Sequence, residues 1–310
     1  MIVYDNLFAM LSERGISKTG LAKMAGLSSA TLAKLSKNEA VSIKIIEAIC
    51  EVLKCQPGDI ISIKPDNGGE TLLSRLLEEK EMKLKGGLYH LTQIKLAYNS
   101  NRIEGSRLSE DQTRYIYETH TIAADPDEAI RIDDITETVN HFRCFDYMLE
   151  TANEPLCEEI IKTLHKLLKS GTTDSEKKWF AVGDYKKRAN IVGDMETVPP
   201  AKVAEEVKKL LNDYLNKEQS TIEDIIRFHV RFERIHPFQD GNGRVGRLIM
   251  FRECLHNGIV PFIIEDEHKL FYYRGIKEFD SEKGYLTDTC LNSQDIYQKY
   301  IDYFYKEDTE

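Results

Sequence analysis

The sequence predicts an all-α fold: a helical bundle interrupted by one β-hairpin flap and preceded by a small helical module. Three observations predict it. Apolar residues recur at helical spacing along nearly the whole chain, and strand-like alternation is almost absent. One stretch, Phe180 to Pro200, breaks that spacing with Gly183, Gly193, Pro199 and Pro200 around the short apolar runs Ala189–Val192 and Thr197–Val198. A polar glycine-containing segment, residues 64–70, separates the first helices from the rest and reads as a linker between a module at 1–63 and a larger region at 71–310.

Four short helices fit into the module. Leu7, Met10 and Leu11 mark the first, which Gly15 stops. Ser17 is placed to cap a second containing Leu21, Ala22 and Met24, ended by Gly26. Ser28 or Ser29 opens a third with Leu32 and Leu35, and Ser42 a fourth with Ile45, Ile46, Ile49 and Leu53. In the larger region, helices are expected over Leu72–His90, into Asn101, and over Asp111–His120, Ile130–Glu150 and Glu154–Leu168. After the hairpin come Ala201–Leu215, Ile222–Ile235 and a last one from Arg244 to His256.

Composition narrows the function classes. The 310 residues are 41% hydrophobic and 30% charged, as in an ordinary globular protein. The formal charge of −10 is uneven: residues 1–63 hold seven basic and six acidic side chains, so nucleic-acid contact, if any, belongs to the N-terminal module. No run is long and apolar enough to span a bilayer, and Asp5 near the start argues against a signal peptide. Six cysteines without a CxxC pair indicate neither zinc nor a disulfide framework; a soluble protein of the reducing cytoplasm is expected.

The chemistry is concentrated in His236 to Arg247, HPFQDGNGRVGR. Pro237 ends the preceding helix by biasing His236 away from helical angles. Asp240, Gly241, Asn242 and Gly243 make a tight turn that exposes backbone N–H groups, and the helix behind it offers an anion site. Arg244 and Arg247, three apart, share the first turn and add bidentate donors for phosphate. Asp240 supplies the hard oxygen that Mg²⁺ prefers, and His236 at the mouth is suited to take a proton near neutral pH. A lone histidine, a paired arginine or a GNG turn would each be unremarkable. Together, at this spacing, they specify attack on a phosphate.

These residues resemble the motif of the Fic family, HxFx(D/E)GNGRxxR, and match it at every defined position. The resemblance extends over about residues 71–300, with the core at about 150–260. It implies a protein adenylyltransferase: His236 deprotonates an acceptor hydroxyl on a protein, the enzyme itself included, and AMP is transferred from ATP with Mg²⁺ held by Asp240. Phe238 would anchor the loop. Gly241, Asn242 and Gly243 would stabilise the α-phosphate, and Arg244 and Arg247 the outer phosphates. The flap at Ile191, Val192 and Thr197 would dock the target as an added strand. Gly243 stands where the family's kinase-like branch has a lysine-containing loop, which favours nucleotidyl transfer. Tyr272 and Tyr273 are candidates to stack on the base, with core or surface as the competing role.

Upstream, Ser100-Asn101-Arg102-Ile103-Glu104-Gly105 is similar to the family's inhibitory motif, [S/T]xxxE[G/N], on an expected inhibitory helix near 90–105. It implies that Glu104 pairs with Arg247 and excludes the γ-phosphate, or that Glu104 orients a water for removal of AMP. The N-terminal module resembles a Cro/repressor-type helix-turn-helix domain, with Ser28, Ser29, Thr31 and Lys34 facing the major groove and Lys18 and Lys37 nearer phosphates. Reading two half-sites would require a homodimer. Two further readings stay open: a transcription regulator whose Fic region senses ATP, and an enzyme using another nucleotide.

Overall fold

The computed structural model of the protein describes residues 2–36, 41–63, 71–123, 129–192, 195–217 and 219–305. The segment 64–70 read as a linker, and Lys37, lie outside the described residues. The chain divides into two compact units, Met1–Glu70 and Thr71–Glu310.

The first unit holds α1 (Asp5–Glu13), α2 (Lys18–Met24), α3 (Ser29–Ser36), α4 (Ile43–Leu53) and a single-turn α5 (Pro57–Ile60). Ser17 caps α2 as its position suggested, its side chain accepting from the Gly20 N–H at 3.0 Å. Ser28 does the same for α3, accepting from the Thr31 N–H at 3.1 Å. Leu7, Leu11, Leu21, Leu35, Ile49 and Leu53 share one core with Tyr4 and Ile60. The alternation rule missed one element: β1 (Ile2–Val3) pairs antiparallel with β2 (Ser62–Ile63), tying the ends of the unit together. Two-residue strands are too short to leave a periodic signal.

The second unit is a bundle of α6 (Leu72–Met82), α7 (Leu88–Ile103), α8 (Glu110–Thr119), α9 (Ile132–Glu150), α10 (Glu158–Lys169), α11 (Pro200–Leu215), α12 (Ile222–Ile235), α13 (Asn242–His256), α14 (Lys269–Lys277) and α15 (Gly284–Phe304). The helix expected over Leu72–His90 stops early, because Lys83 takes a left-handed C-cap conformation and α7 starts afresh at Leu88 behind Gly87. Between α10 and α11, β3 (Ile191–Val192) pairs antiparallel with β4 (Met195–Glu196).

At the centre of this unit runs α13. Its residues from Asn242 to Leu255 are all buried, so it has no single apolar face; α7, α9, α10 and α12 pack around it. Val245, Leu248 and Ile249 fill one side, as their spacing suggested. The charged members of α13 are buried with partners: Arg252 donates to the Thr151 and Glu154 carbonyls and pairs with Glu253. Of the six cysteines, Cys144, Cys254 and Cys290 are buried and Cys157 is exposed; all six are free of disulfides.

Leu164 on α10 is fully buried in the main core, directly before His165 of the site described below. Leu164→Ala should cost about 2–5 kcal/mol of stability through the lost contacts and the cavity left behind, measured by equilibrium urea unfolding.

Candidate functional site

The loop between α12 and α13 is shaped by its own sequence. The preceding helix ends at Ile235, and His236 adopts φ 50°, ψ 63°, a left-handed conformation rare for a side chain with a Cβ. This differs from the extended geometry usual before proline, and it costs on the order of 1–3 kcal/mol that the surrounding contacts must offset. Those contacts are specific. The His236 N–H donates to the Phe232 carbonyl at 2.9 Å. Phe238, fully buried, stacks on His165 with ring centroids 3.9 Å apart and planes 5° from parallel. The Asn242 amide accepts from the Phe238 N–H at 2.8 Å and donates to the Phe238 carbonyl at 2.9 Å.

Asn242 thereby clamps the loop with both ends of its amide. The expectation that it reaches a phosphate passes to its backbone N–H, since α13 begins at Asn242 itself, two residues earlier than Arg244. Gly241, at φ 82°, is the N-cap.

His236 lies 3.3 Å through Nδ1 from the Glu233 carbonyl. A carbonyl only accepts, so Nδ1 carries the proton and Nε2 is the basic nitrogen. Burial, reinforced by the Lys186 ammonium, pushes the imidazole down to about 4, against the opposing pull of Glu104 and Asp240. The ring is therefore neutral and able to accept a proton at neutral pH. Beside it, burial and then the Glu104 charge push the Glu233 carboxyl up to about 8.

The two arginines diverge. Arg247 donates through Nε to the Ser100 hydroxyl at 3.0 Å, and through one terminal nitrogen to the Ser100 carbonyl at 2.9 Å and the Glu104 carboxylate at 2.7 Å. Glu104 sits at the C-terminal end of α7 and presses against the first turn of α13, where a Cβ on Gly243 would collide with its Oε1. Ser100, Glu104, Gly243 and Arg247 are thus brought together from two distant segments. Arg244 instead faces α9, pairing with Glu137 and with Asp240 at 3.2 Å.

Asp240 also accepts from the Lys169 ammonium at 2.7 Å. Burial alone would raise its carboxyl, but the Arg244 and Lys169 charges hold it well below the usual carboxylate range. The result is an ionised hard oxygen, half exposed, beside a glycine-capped helix start. No group of three or more His, Cys, Asp or Glu side chains among the described residues is placed to hold a metal ion. That donor set fits a magnesium ion held by one carboxylate, with phosphate and water as its other ligands.

Several participants were not legible in the sequence. Lys169, Glu137 and His165 lie on other helices with no motif around them. Lys186 is nearly buried, and its ammonium donates to Asn190 at 2.7 Å and to the Thr197 hydroxyl at 2.6 Å; its N–H donates to the Pro237 carbonyl at 2.9 Å. It therefore ties the β3–β4 segment to the His236 loop. Ile191 is 67% exposed, while Val192's side chain and Gly193–Asp194 lie outside the described residues. Tyr272 is a core residue, its hydroxyl accepting from Arg247 at 3.4 Å, whereas Tyr273 is exposed and its hydroxyl donates to the Ile103 carbonyl at 3.2 Å. In the N-terminal unit, Ser28 and Thr31 bond to each other at 2.9 Å and Lys34 is exposed, while Ser29's side chain lies outside the described residues.

A buried helix start with two guanidiniums, an ionised aspartate and a neutral histidine at its mouth is suited to a phosphorylated ligand. Comparison with known proteins agrees in class. Residues 155–254 match the Fic/DOC family and residues 6–66 the Cro/C1-type HTH DNA-binding domain, so the chain carries a Fic domain preceded by a helix-turn-helix domain. It is similar to protein adenylyltransferase fic-1 of Caenorhabditis elegans, 26% identical over 220 residues, covering 68% of this chain and 41% of that protein. It is also similar to protein adenylyltransferase Fic of Nematostella vectensis, 29% identical over 190 residues, covering 57% and 41%. The chain thus spans about two fifths of the length of these relatives. In structure it resembles a Fic family protein from Desulfovibrio desulfuricans, with a TM-score of 0.56 to 0.57 shared by a Fic domain protein from Bacteroides thetaiotaomicron. Both are 22% identical; the first match covers 78% of this chain and 76% of that one, the second 74% and 90%. No helix among the described residues is long and apolar enough to cross a membrane.

Lys186→Met removes the cation that depresses His236. Burial, the larger cause, remains, so the His236 pKa should rise only part of the way from about 4 toward its ordinary value, read by NMR titration of the imidazole resonances.

Proposed function

We propose that this protein is an autoinhibited protein adenylyltransferase that moves AMP from ATP to a hydroxyl side chain of a protein. The observation that carries the reading is the Glu104–Arg247 ion pair at 2.7 Å, made against Gly243 at the start of the helix whose preceding loop bears His236. An acidic side chain seated on a nest of N–H groups and a buried guanidinium takes the position and charge of an outer phosphate.

In this reading His236 accepts the proton of the acceptor hydroxyl through Nε2 as oxygen attacks the α-phosphorus and pyrophosphate leaves. The Gly241–Gly243 backbone and the start of α13 steady the charge on the α-phosphate, and Arg247 holds the outer phosphates once Glu104 has left it. Asp240 would hold a magnesium ion, which would neutralise phosphate charge when bound. The β3–β4 segment docks the target through main-chain bonds, with Thr197 fixed by Lys186 at the end near the base. With Glu104 in place, ATP binds with its α-phosphorus turned from in-line attack. The same glutamate could instead direct a water at an AMP-modified side chain, running the reaction backwards.

The helix-turn-helix match supports a second activity, binding of DNA by a homodimer through Ser28, Ser29, Thr31 and Lys34. In the competing arrangement the Fic domain only senses ATP for that regulator. Salt-dependent retardation of the protein's own upstream DNA, lost in Lys34→Ala, is the expected outcome for the DNA contact.

With labelled ATP and Mg²⁺, Glu104→Gly should raise label transfer to protein on the order of tenfold or more, since it frees Arg247 for phosphate. His236→Ala in that background should lower transfer by roughly 10²–10⁴-fold while ATP still binds. Equal labelling by Glu104→Gly and wild type, with equal ATP occupancy, would remove the inhibitory role. Labelling independent of His236 would remove the enzyme.

A further inference from the structure

Lys169 is a buried cation at the edge of the site that nothing in the proposed chemistry uses. Only 2% of its side chain is exposed, and its ammonium lies 2.5 Å from Glu137, 2.9 Å from Asp174 and 2.7 Å from Asp240. Three carboxylates from α9, the turn after α10 and the catalytic loop thus converge on one nitrogen. The groups facing this cage are Arg244, which shares Glu137 and Asp240, and Lys177, which shares Asp174 at 2.6 Å. Asp133 lies close enough to feel both the Lys169 and the Asp174 charges. Arg244 and Lys169 bond to the same oxygen of Asp240, Oδ2.

We propose that Lys169 is a resident counter-cation that competes with divalent metal for Asp240. Resting on the reading of Asp240 as the metal carboxylate, it follows that the free protein takes up metal weakly and that a polyphosphate ligand must supply most of the binding. The physical argument is one of charge in a confined place. An ammonium hydrogen-bonded to a carboxylate already satisfies the negative charge that would attract a cation. A divalent ion on the same carboxylate necessarily lies close to that ammonium and is repelled by it. Lys169 is buried while Asp240 is half exposed, so screening by water and salt weakens the repulsion from the open side only. Glu137 and Asp174 hold Lys169 in place, so it cannot simply swing into solvent. Without the ammonium, Asp240 Oδ2 would keep Arg244 as its cationic partner, and more of its charge would be available to a hard cation.

The test reads metal binding directly, on the full chain without nucleotide, by the loss of the free Mn²⁺ electron paramagnetic resonance signal on titration. Lys169→Met should bind Mn²⁺ about tenfold or more tighter than wild type. Lys169→Arg, which keeps the charge, should remain near wild type. Asp240→Asn combined with Lys169→Met should lose the gain. If Lys169→Met folds, shown by an unchanged circular dichroism spectrum, yet binds Mn²⁺ no tighter than wild type, Lys169 merely props Asp240 and the inference is overturned. Should that variant not fold, Lys169→Gln decides: it removes the charge and keeps a hydrogen-bond donor, and should bind Mn²⁺ several-fold tighter than wild type, whereas unchanged or weaker binding overturns the inference. Separately, wild-type Mn²⁺ binding that is insensitive to Asp240→Asn would remove Asp240 as the metal residue, a failure of the parent reading rather than of the competition.

Discussion

Two guanidinium groups taken out of water at the first turns of α13 dictate what surrounds them. Arg244 and Arg247 are each 3% exposed. A buried charge without a partner costs several kcal/mol, so anions must be brought to it. The bundle supplies them from three directions: Ser100 and Glu104 from the end of α7, Glu137 from α9, and Asp240 from the loop itself. The polar contacts of α7 and α9 with the start of α13 follow from that requirement. So does the functional reading, because an anion that satisfies Arg247 from inside the protein and one that arrives with a ligand answer the same demand.

The second constraint is the shape of the loop. His236 is held in a left-handed conformation that its own Cβ disfavours, by a helix-capping hydrogen bond, by the stack of Phe238 on His165 and by the reciprocal Asn242–Phe238 pair. His165 is itself fixed from both sides: its Nδ1 accepts from the Gly183 N–H at 3.0 Å, and its Nε2 lies 3.2 Å from the Asp240 carbonyl. The Nδ1 bond leaves the proton on Nε2, which therefore donates to that carbonyl, a neutral tautomer consistent with a ring pushed down to about 3 by burial. Residues outside the loop thus help place the imidazole and the carboxylate relative to one another.

How much of this was legible in the chain follows a physical division. The loop His236–Arg247 could be read because all its groups are carried by twelve consecutive residues, and glycine, proline and asparagine constrain the backbone locally. Glu104 could be read only through its motif, and its seat against Gly243 is a contact across more than a hundred residues of chain. Lys169, Glu137, Lys186 and His165 carried no local signal: a lysine on a helix is ordinarily solvated, and only burial makes it remarkable. The short β1–β2 pair and the break at Lys83 escaped for a related reason, since two-residue strands and a left-handed lysine leave no periodic trace.

The chain by itself therefore determined the helical class, the cap at Ser17, the helix end before His236 and the identity of the loop's chemical groups, because each of these is an interaction among neighbours in sequence. Tertiary structure alone decided the partners of the charges. That Arg247 faces Glu104 while Arg244 faces Glu137, that Asp240 shares an ammonium with two other carboxylates, and that His236 stays neutral, all depend on burial and on side chains from separate helices. Electrostatics in a place shielded from water is set by every group within a few ångströms, whatever its position along the chain.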